Sequence, residues 1–291
     1  MTLTKNFLLT SCRLARRAVL AAGLVTALGG FTALETLFAP KAELWPRWQA
    51  FDANATTRID HAAWERFLNT YVTPGPDGIN RVAYGRVTVA DKEALHDYLD
   101  RLRLVTIQRF NRDEQRAYWI NFYNALTVMV ILDHRPVASI VDIDISPGLF
   151  ARGPWDRKLI EIAGESVSLN DVEHRILRPI WRDPRLHYAV NCASIGCPNL
   201  LSTAFTGTNG DELLEAAARA YVNHRRGARI EGGRLTVSKI YAWFADDFGG
   251  GDEAVIGHLK RYAEPPLRRA LEGRTAIDDY EYDWGLNDAS S

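Results

Sequence analysis

The sequence predicts an α+β domain: a small, mostly antiparallel sheet packed around a long buried helix, with a helical lead-in before it. Three observations carry this. The stretch "AYWINFYNALTVMVILDH" (residues 117–134) is apolar on nearly all sides, as a helix in the centre of a domain must be. Short runs with period-two alternation or paired turn glycines follow it. Helical-period stretches lie before and between those runs, which is the mixture that separates α+β from all-helical folds.

The elements follow in order. Residues 1–40 differ from the rest: Lys5, Arg13, Arg16 and Arg17 precede an apolar run from Ala18 to Leu34, and Pro40 opens polar sequence. A basic stretch followed by an apolar one predicts an export signal or membrane anchor, with the body outside the cytoplasm. The Arg16-Arg17 pair fits a twin-arginine signal. No A-x-A cleavage site follows, and the run sits at the short end of what spans a bilayer, so a cleaved peptide and a retained anchor both stay open. "LTSC", ending at Cys12, resembles a lipidation box but precedes the apolar run and is discounted.

Residues 41–110 form the helical lead-in. Asp60 reads as the N-cap of a helix with Trp64, Phe67, Leu68 and Tyr71 on one face, ended by "TPGPDG", and Asp91 opens another with Leu95, Tyr98, Leu99 and Leu102. Asn111 followed by Glu114 predicts a capping box for the long helix, which runs to a stop at Pro136. Asn121 and Asn124 stand i, i+3 on that helix, with the small Ala117 one turn before. Two amides thus line one stripe, either to tie down a neighbouring loop or to face a pocket.

Beyond it, "KLIEIAGESVSL" predicts a strand pair turning at Gly164. Ser168 and Asp171 cap a short helix, "LNDVEHRILR", stopped by Pro179. "RLHYAVN" alternates as a strand, "DELLEAAARAYVNH" is a helix, and "ARIEGGRLTVS" is a hairpin about Gly232 and Gly233. "KIYAWFADDF" is a further helix closed by glycines, and "DYEYDWGLN" an edge or closing strand.

Composition narrows the function. The 291 residues are 47% hydrophobic and 24% charged, enough apolar material for a core. With 35 basic against 36 acidic residues and no basic stripe, nucleic acid is excluded as an expected partner. The three cysteines are Cys12, Cys192 and Cys197, the last two within "NCASIGCP". An extracytoplasmic body permits a disulfide, yet one across so short a loop adds little stability. Zinc on His187, Cys192 and Cys197 is the metal alternative, weakened by the loose Cys-x4-Cys spacing and the lack of a second close ligand pair. A reactive thiol is the third reading, since small residues after Cys192 let the backbone turn tightly near the sulfur.

At this point the chain resembles the domain-of-unknown-function 547 family. The resemblance rests on "YWINFYNAL", "SLNDVEHRILR", "DPRLHYAVNCASIGCPNL" and "VSKIYAWFADDF", in that order, with the "DYEYDWGLN" tail, and covers roughly residues 111–287. It marks Trp119, Asn121, Tyr123, Asn124, Glu173, His174, His187, Cys192, Lys239 and Asp247. It also implies that Cys197 is less constant than Cys192, which counts against disulfide and metal as family-wide explanations. It supplies positions without a reaction.

A nucleophilic cysteine needs a base. On a strand, His187 and Cys192 would have opposite parity, so His174 is favoured as its partner. The expectation is a thiol-dependent hydrolase or acyl transferase that uses no cofactor. Cys192 attacks, His174 takes and returns the proton, and Asn121 positions the acyl group, with Asn124, Glu173, His187, Lys239 and Trp119 on the substrate side. The substrate is a small molecule or peptide. The competing class is a binding module with a polar pocket and an inert cysteine. Lys239 and Asp247 fall about two turns apart on one helix, Asp247 pairing a buried cation, and Trp155, Trp243 and Trp284 are core or rim aromatics.

Overall fold

The structure, a computed structural model, describes residues 39–148 and 152–289. The expected export or anchor segment lies outside the described residues, apart from its last two. Among the described residues no helix is long and apolar enough to cross a membrane.

The fold is α+β, as the sequence predicts. Helix α1 (Ala62–Tyr71) leads into the ribbon of β1 (Val72–Pro74) and β2 (Asn80–Val82) across the "TPGPDG" turn. Helix α2 (Val89–Arg103) precedes the long α3 (Arg112–His134). The α2 start differs from expectation. Thr88, not Asp91, is the cap: its Oγ accepts the Asp91 N–H at 3.1 Å, and the Asp91 carboxylate accepts the Thr88 hydroxyl at 2.6 Å. Thr88 precedes its acid by three residues, a capping-box spacing read one turn late.

Helix α3 is buried from Glu114 to Ile131. The capping box is half realised. Asn111 accepts the Glu114 N–H at 3.0 Å, while the Glu114 carboxylate turns outward to the N–H groups of Ile59 and Gly207, each at 3.2 Å. Trp48, Trp64 and Tyr98 of the lead-in share one apolar core with α3, so residue 110 marks no break in packing.

The sheet is three small pieces rather than one. After β1-β2 come β3 (Ile160–Ile162) with β4 (Glu165–Val167), antiparallel, turning at Ala163 and Gly164. The third is β5 (Ala228–Glu231), β6 (Arg234–Ser238) and β7 (Asp279–Glu281), with β5-β6 antiparallel and β6-β7 parallel. A second apolar core lies under this sheet, against α5 (Gly210–Val222) and α7 (Gly251–Tyr262).

Three local expectations are corrected. "RLHYAVN" is not a strand: Pro184–Tyr188 form a 3-10 turn, capped by Asp183, whose Oδ1 accepts the Arg185 N–H at 2.9 Å. Asp followed by Pro is a helix-start signal that alternation masked. Pro179 does not stop its helix. A π-helical segment at Asp171–Leu177 runs into α4 (Arg178–Trp181) and ends at Arg182 in the left-handed region. Proline has no N–H to give Arg175 O, and the wide turn sends the Arg178 N–H to Glu173 O. The freed carbonyls of His174 and Arg175 accept N–H groups of Glu43 and Trp45, both at 2.9 Å. "KIYAWFADDF" breaks at Phe244 into α6 (Ile240–Trp243) and a 3-10 turn (Ala245–Phe248). The break lets the Phe244 ring lie against His187, centroids 4.5 Å apart and nearly parallel, so Lys239 and Asp247 do not share one regular helix.

Candidate functional site: a thiol loop beside a buried ion cluster

The loop after Tyr188 is held by α3 and by the tail. Asn124 Nδ2 donates to Ala189 O at 2.9 Å, and its Oδ1 accepts the Asn191 N–H at 2.8 Å. Asn121 does the same one turn earlier, donating to Phe205 O at 2.7 Å and accepting from Phe205 N at 3.0 Å. Both amides are consumed by backbone, which corrects the expectation that Asn121 positions substrate and Asn124 binds it. They are clamps. Trp119 is corrected likewise: it is sealed in the core, edge-on to Trp48 and Tyr118.

From the other side the tail runs along the loop. Ile195 N donates to Gly285 O at 2.7 Å, Gly196 N to Asp283 O at 2.8 Å, and Asn287 N to Ala193 O at 3.0 Å. Gly196 is required by this approach, because a Cβ there would stand 2.7 Å from Asp283 N. Between the two supports Ala193 is forced to φ 61°, a conformation that costs a non-glycine residue about 1 kcal/mol or more. Such strain sits immediately after Cys192.

Cys192 is half-buried and free; Cys197 is buried and free. The Cys192 sulfur lies 3.0 Å from the Tyr282 hydroxyl and 3.2 Å from the Ser194 hydroxyl, which are themselves 2.9 Å apart. The Cys192 N–H points to the Cys197 sulfur at 3.1 Å. A hydrogen bond with the Cys197 thiol holds the Cys192 pKa below its ordinary value against burial, aided by Ser194 and Tyr282. Burial pushes Cys197 well up, and the neighbouring Cys192 adds to it.

Neither histidine is a hydrogen-bond partner of the sulfur, which corrects the expected Cys192–His174 pair. His174 Nδ1 faces the Arg178 guanidinium at 2.9 Å. Guanidinium only donates, so that lone pair is engaged and the remaining proton resides on Nε2. Burial holds the His174 pKa down to about 4, with Arg178 and His187 helping and Glu173 opposing, so the ring is neutral near pH 7. His187 does the reverse. Burial disfavours its charge, but a hydrogen bond to Asp247 (Nε2 to Oδ2, 2.7 Å) and an ion pair with Glu173 (Nδ1 to Oε1, 3.6 Å) outweigh it and raise its pKa. The parity assumed for a strand does not apply, because His187 sits in the 3-10 turn.

Arg178 closes the cluster on Asp247, Nε to Oδ2 at 2.5 Å, the cation pairing anticipated for Asp247. Burial opposes both carboxylates, yet Glu173 is held at about 2, with His174, His187 and Arg178 favouring its charge, and Asp247 lies below its ordinary range through His187 and Arg178. Glu173 and Asp247 thus stand as anions around the Arg178 guanidinium, and His187, with its pKa raised, is the second group whose positive charge they favour. A buried set so compensated costs little only while complete. Phe244 lies under both cations, 4.6 Å from Arg178 Cζ.

The sulfur and the ion cluster are neighbours. Glu173 opposes charge on Cys192, and burial, with Glu173 and both cysteines adding to it, pushes the Tyr123 hydroxyl well above its ordinary pKa. Half-buried aromatics bridge the rim: Trp243 stands 4.9 Å from Tyr282 and 5.6 Å from Trp284, and Trp155 5.7 Å from Trp284. Lys239 is half-buried at the start of α6, its N–H on Glu281 O at 3.0 Å. Cavities of about 480 and 230 Å3 are lined by Arg219, Pro265 and Arg269, and by Asn199, Tyr221 and Arg226.

The zinc alternative is also corrected. Among the described residues no group of three or more His, Cys, Asp or Glu side chains is arranged to hold a metal ion. His187 gives its nitrogens to Asp247 and Glu173, while both sulfurs face the tail.

Arg178, Ser194 and Tyr282 were absent from the sequence-based site. Arg178 carried a signal, standing i+4 from His174 on a helix. Tyr282 carried none, since 90 residues separate it from Cys192.

Residues 107–222 match the family model described as "Protein of unknown function, DUF547". No curated protein and no solved structure matches the chain.

Proposed function

We propose that this chain, which carries a domain of the DUF547 family over residues 107–222, is a thiol-dependent hydrolase or acyl transferase with Cys192 as its nucleophile. The observation that carries the proposal is the setting of the sulfur: half-buried, on a strained loop, and flanked by the Tyr282 and Ser194 hydroxyls rather than by a base. Donors that stabilise thiolate do the work usually given to an imidazole. The thiolate attacks an acyl carbon, and the S–C bond forms as the leaving group departs. As the S–C bond forms the sulfur loses its negative charge, so in the same step the Tyr282 and Ser194 hydroxyls turn to the leaving group while its bond to the acyl carbon breaks, and that group takes its proton from solvent. Water or an acceptor nucleophile then cleaves the thioester.

In this reading His174 is not the base. It fixes Arg178, and the ion cluster holds Glu173 and the neighbouring helix in place beside the sulfur. The substrate is an ester, thioester or amide of a small molecule or peptide, and residues 1–40 carry the body out of the cytoplasm as an export peptide or anchor.

The test is acyl transfer from an alkyl thioester and a p-nitrophenyl ester to the full-length protein, followed by intact mass and peptide mapping. The expected result is an acyl adduct on Cys192, absent in Cys192→Ser and retained in His174→Gln. Turnover unchanged in Cys192→Ser, or no adduct from either donor, would sink the proposal and leave the binding-module reading in front.

A further inference from the structure

We infer that Cys192 and Cys197 form a reversible redox pair, in which a hydroperoxide oxidises Cys192 and Cys197 resolves the product as an intramolecular disulfide. This goes beyond the acyl chemistry and does not depend on it.

The two sulfurs differ in the way a redox pair requires. Cys192 is half-buried, whereas Cys197 is only 5% exposed. They are already in contact. The Cys192 N–H points to the Cys197 sulfur at 3.1 Å, and the Cys197 thiol reaches Val190 O at 3.7 Å. The loop between them is held from outside by the tail at Ile195 and Gly196 and by Tyr221, whose hydroxyl donates to Gly196 O at 2.7 Å. Approach of the sulfurs is thus built into the reduced fold. A bridge across so short a loop adds little stability by chain entropy, which favours a switch over a staple. A thiol of lowered pKa beside a second, resolving thiol is an arrangement that redox-sensing cysteines share.

The chemistry balances. Cys192 thiolate attacks the distal oxygen of the hydroperoxide; an S–O bond forms, the O–O bond breaks, and alkoxide or hydroxide leaves with a proton from solvent. Sulfur loses two electrons to the peroxide. Cys197 then attacks the sulfenic sulfur, the S–S bond forms, and hydroxide departs with the Cys197 proton as water. A thiol reductant reverses the bridge. Closing it removes Cys192 from service as a nucleophile.

Both cysteines lie on the tryptic peptide Leu186–Arg219, and Cys12 lies on another. Full-length reduced protein is treated with one equivalent of hydrogen peroxide, then alkylated and mapped. In wild type that peptide should become lighter by two hydrogens, alkylation of Cys192 should fall at least about tenfold, and dithiothreitol should restore it. In Cys197→Ser, dimedone should trap a sulfenic acid on Cys192; in Cys192→Ser, Cys197 should stay unmodified. The inference is overturned if wild type proceeds to sulfinic acid as fast as Cys197→Ser, if the bridge forms only between molecules or with Cys12, or if it resists reduction in the folded protein. Acyl transfer by Cys192 with no such bridge would leave the proposed function standing alone.

Discussion

Replacing Tyr282 by Phe isolates one hydroxyl at the reactive sulfur. The ring stays, and with it the contacts to Trp243 at 4.9 Å and Trp284 at 4.7 Å, so packing is conserved. What disappears is the donor 3.0 Å from Cys192 Sγ. Burial, and then the neighbouring Cys192, raises the Tyr282 pKa well above its ordinary value, so this hydroxyl keeps its proton and donates. A hydrogen bond to a charged acceptor stabilises by about 1.5–3 kcal/mol and one to a neutral acceptor by about 1 kcal/mol. The thiolate therefore loses about 0.5–2 kcal/mol more than the thiol, and the Cys192 pKa should rise by about one unit. Below that pKa the thiolate fraction drops about tenfold, but a more basic thiolate is about threefold more nucleophilic, so alkylation should slow only about threefold. The assay is iodoacetamide labelling of the peptide Leu186–Arg219 across pH, which separates the midpoint from the high-pH plateau. A midpoint unmoved in Tyr282→Phe, at unchanged thermal stability, would refute hydroxyl activation of the sulfur.

Two further outcomes concern stability. His174 is buried neutral with its pKa held at about 4 against an ordinary 6.5, so the unfolded chain binds the extra proton between those values and stability falls as pH drops through that window. The loss reaches about 3 kcal/mol for this one ring. His187 runs the other way: its raised pKa gives stability present below 6.5 and lost as pH climbs through its folded value. Urea melts from pH 7 to pH 4 should show a shallower slope in His174→Gln, and an unaltered slope would refute the assignment of a buried neutral ring. Asn124→Ala leaves Ala189 O and Asn191 N without their partners and should cost about 2–4 kcal/mol, read as a lowered Tm. Lost turnover at an unchanged Tm would instead make Asn124 a substrate contact.

Local signals that act over a few residues were legible. The capping pair Ser168 and Asp171, whose carboxylate accepts the Ser168 N–H at 2.8 Å, stands as expected, and so do the β3-β4 turn at Gly164 and the Gly232-Gly233 hairpin. Elements whose shape is set by distant partners were not. Phe244 leaves its helix to lie on His187, and Pro179 remains inside one because Glu43 and Trp45 supply the N–H groups that its turn lacks. The amides of Asn121 and Asn124 were visible as a stripe, but only the loops opposite decided that they clamp backbone.

The sequence by itself determined the fold class and the buried α3, because periodicity, capping and burial are written in neighbouring side chains. Which group touches which was decided by tertiary structure alone. A single π turn and one 3-10 turn rotate His174 and His187 away from the thiol and toward Arg178, Asp247 and Glu173. The tail, 90 residues downstream, then brings the Tyr282 hydroxyl to the sulfur. Hydrogen bonds and ion pairs act over about 3 Å, a range at which separation along the chain carries no information.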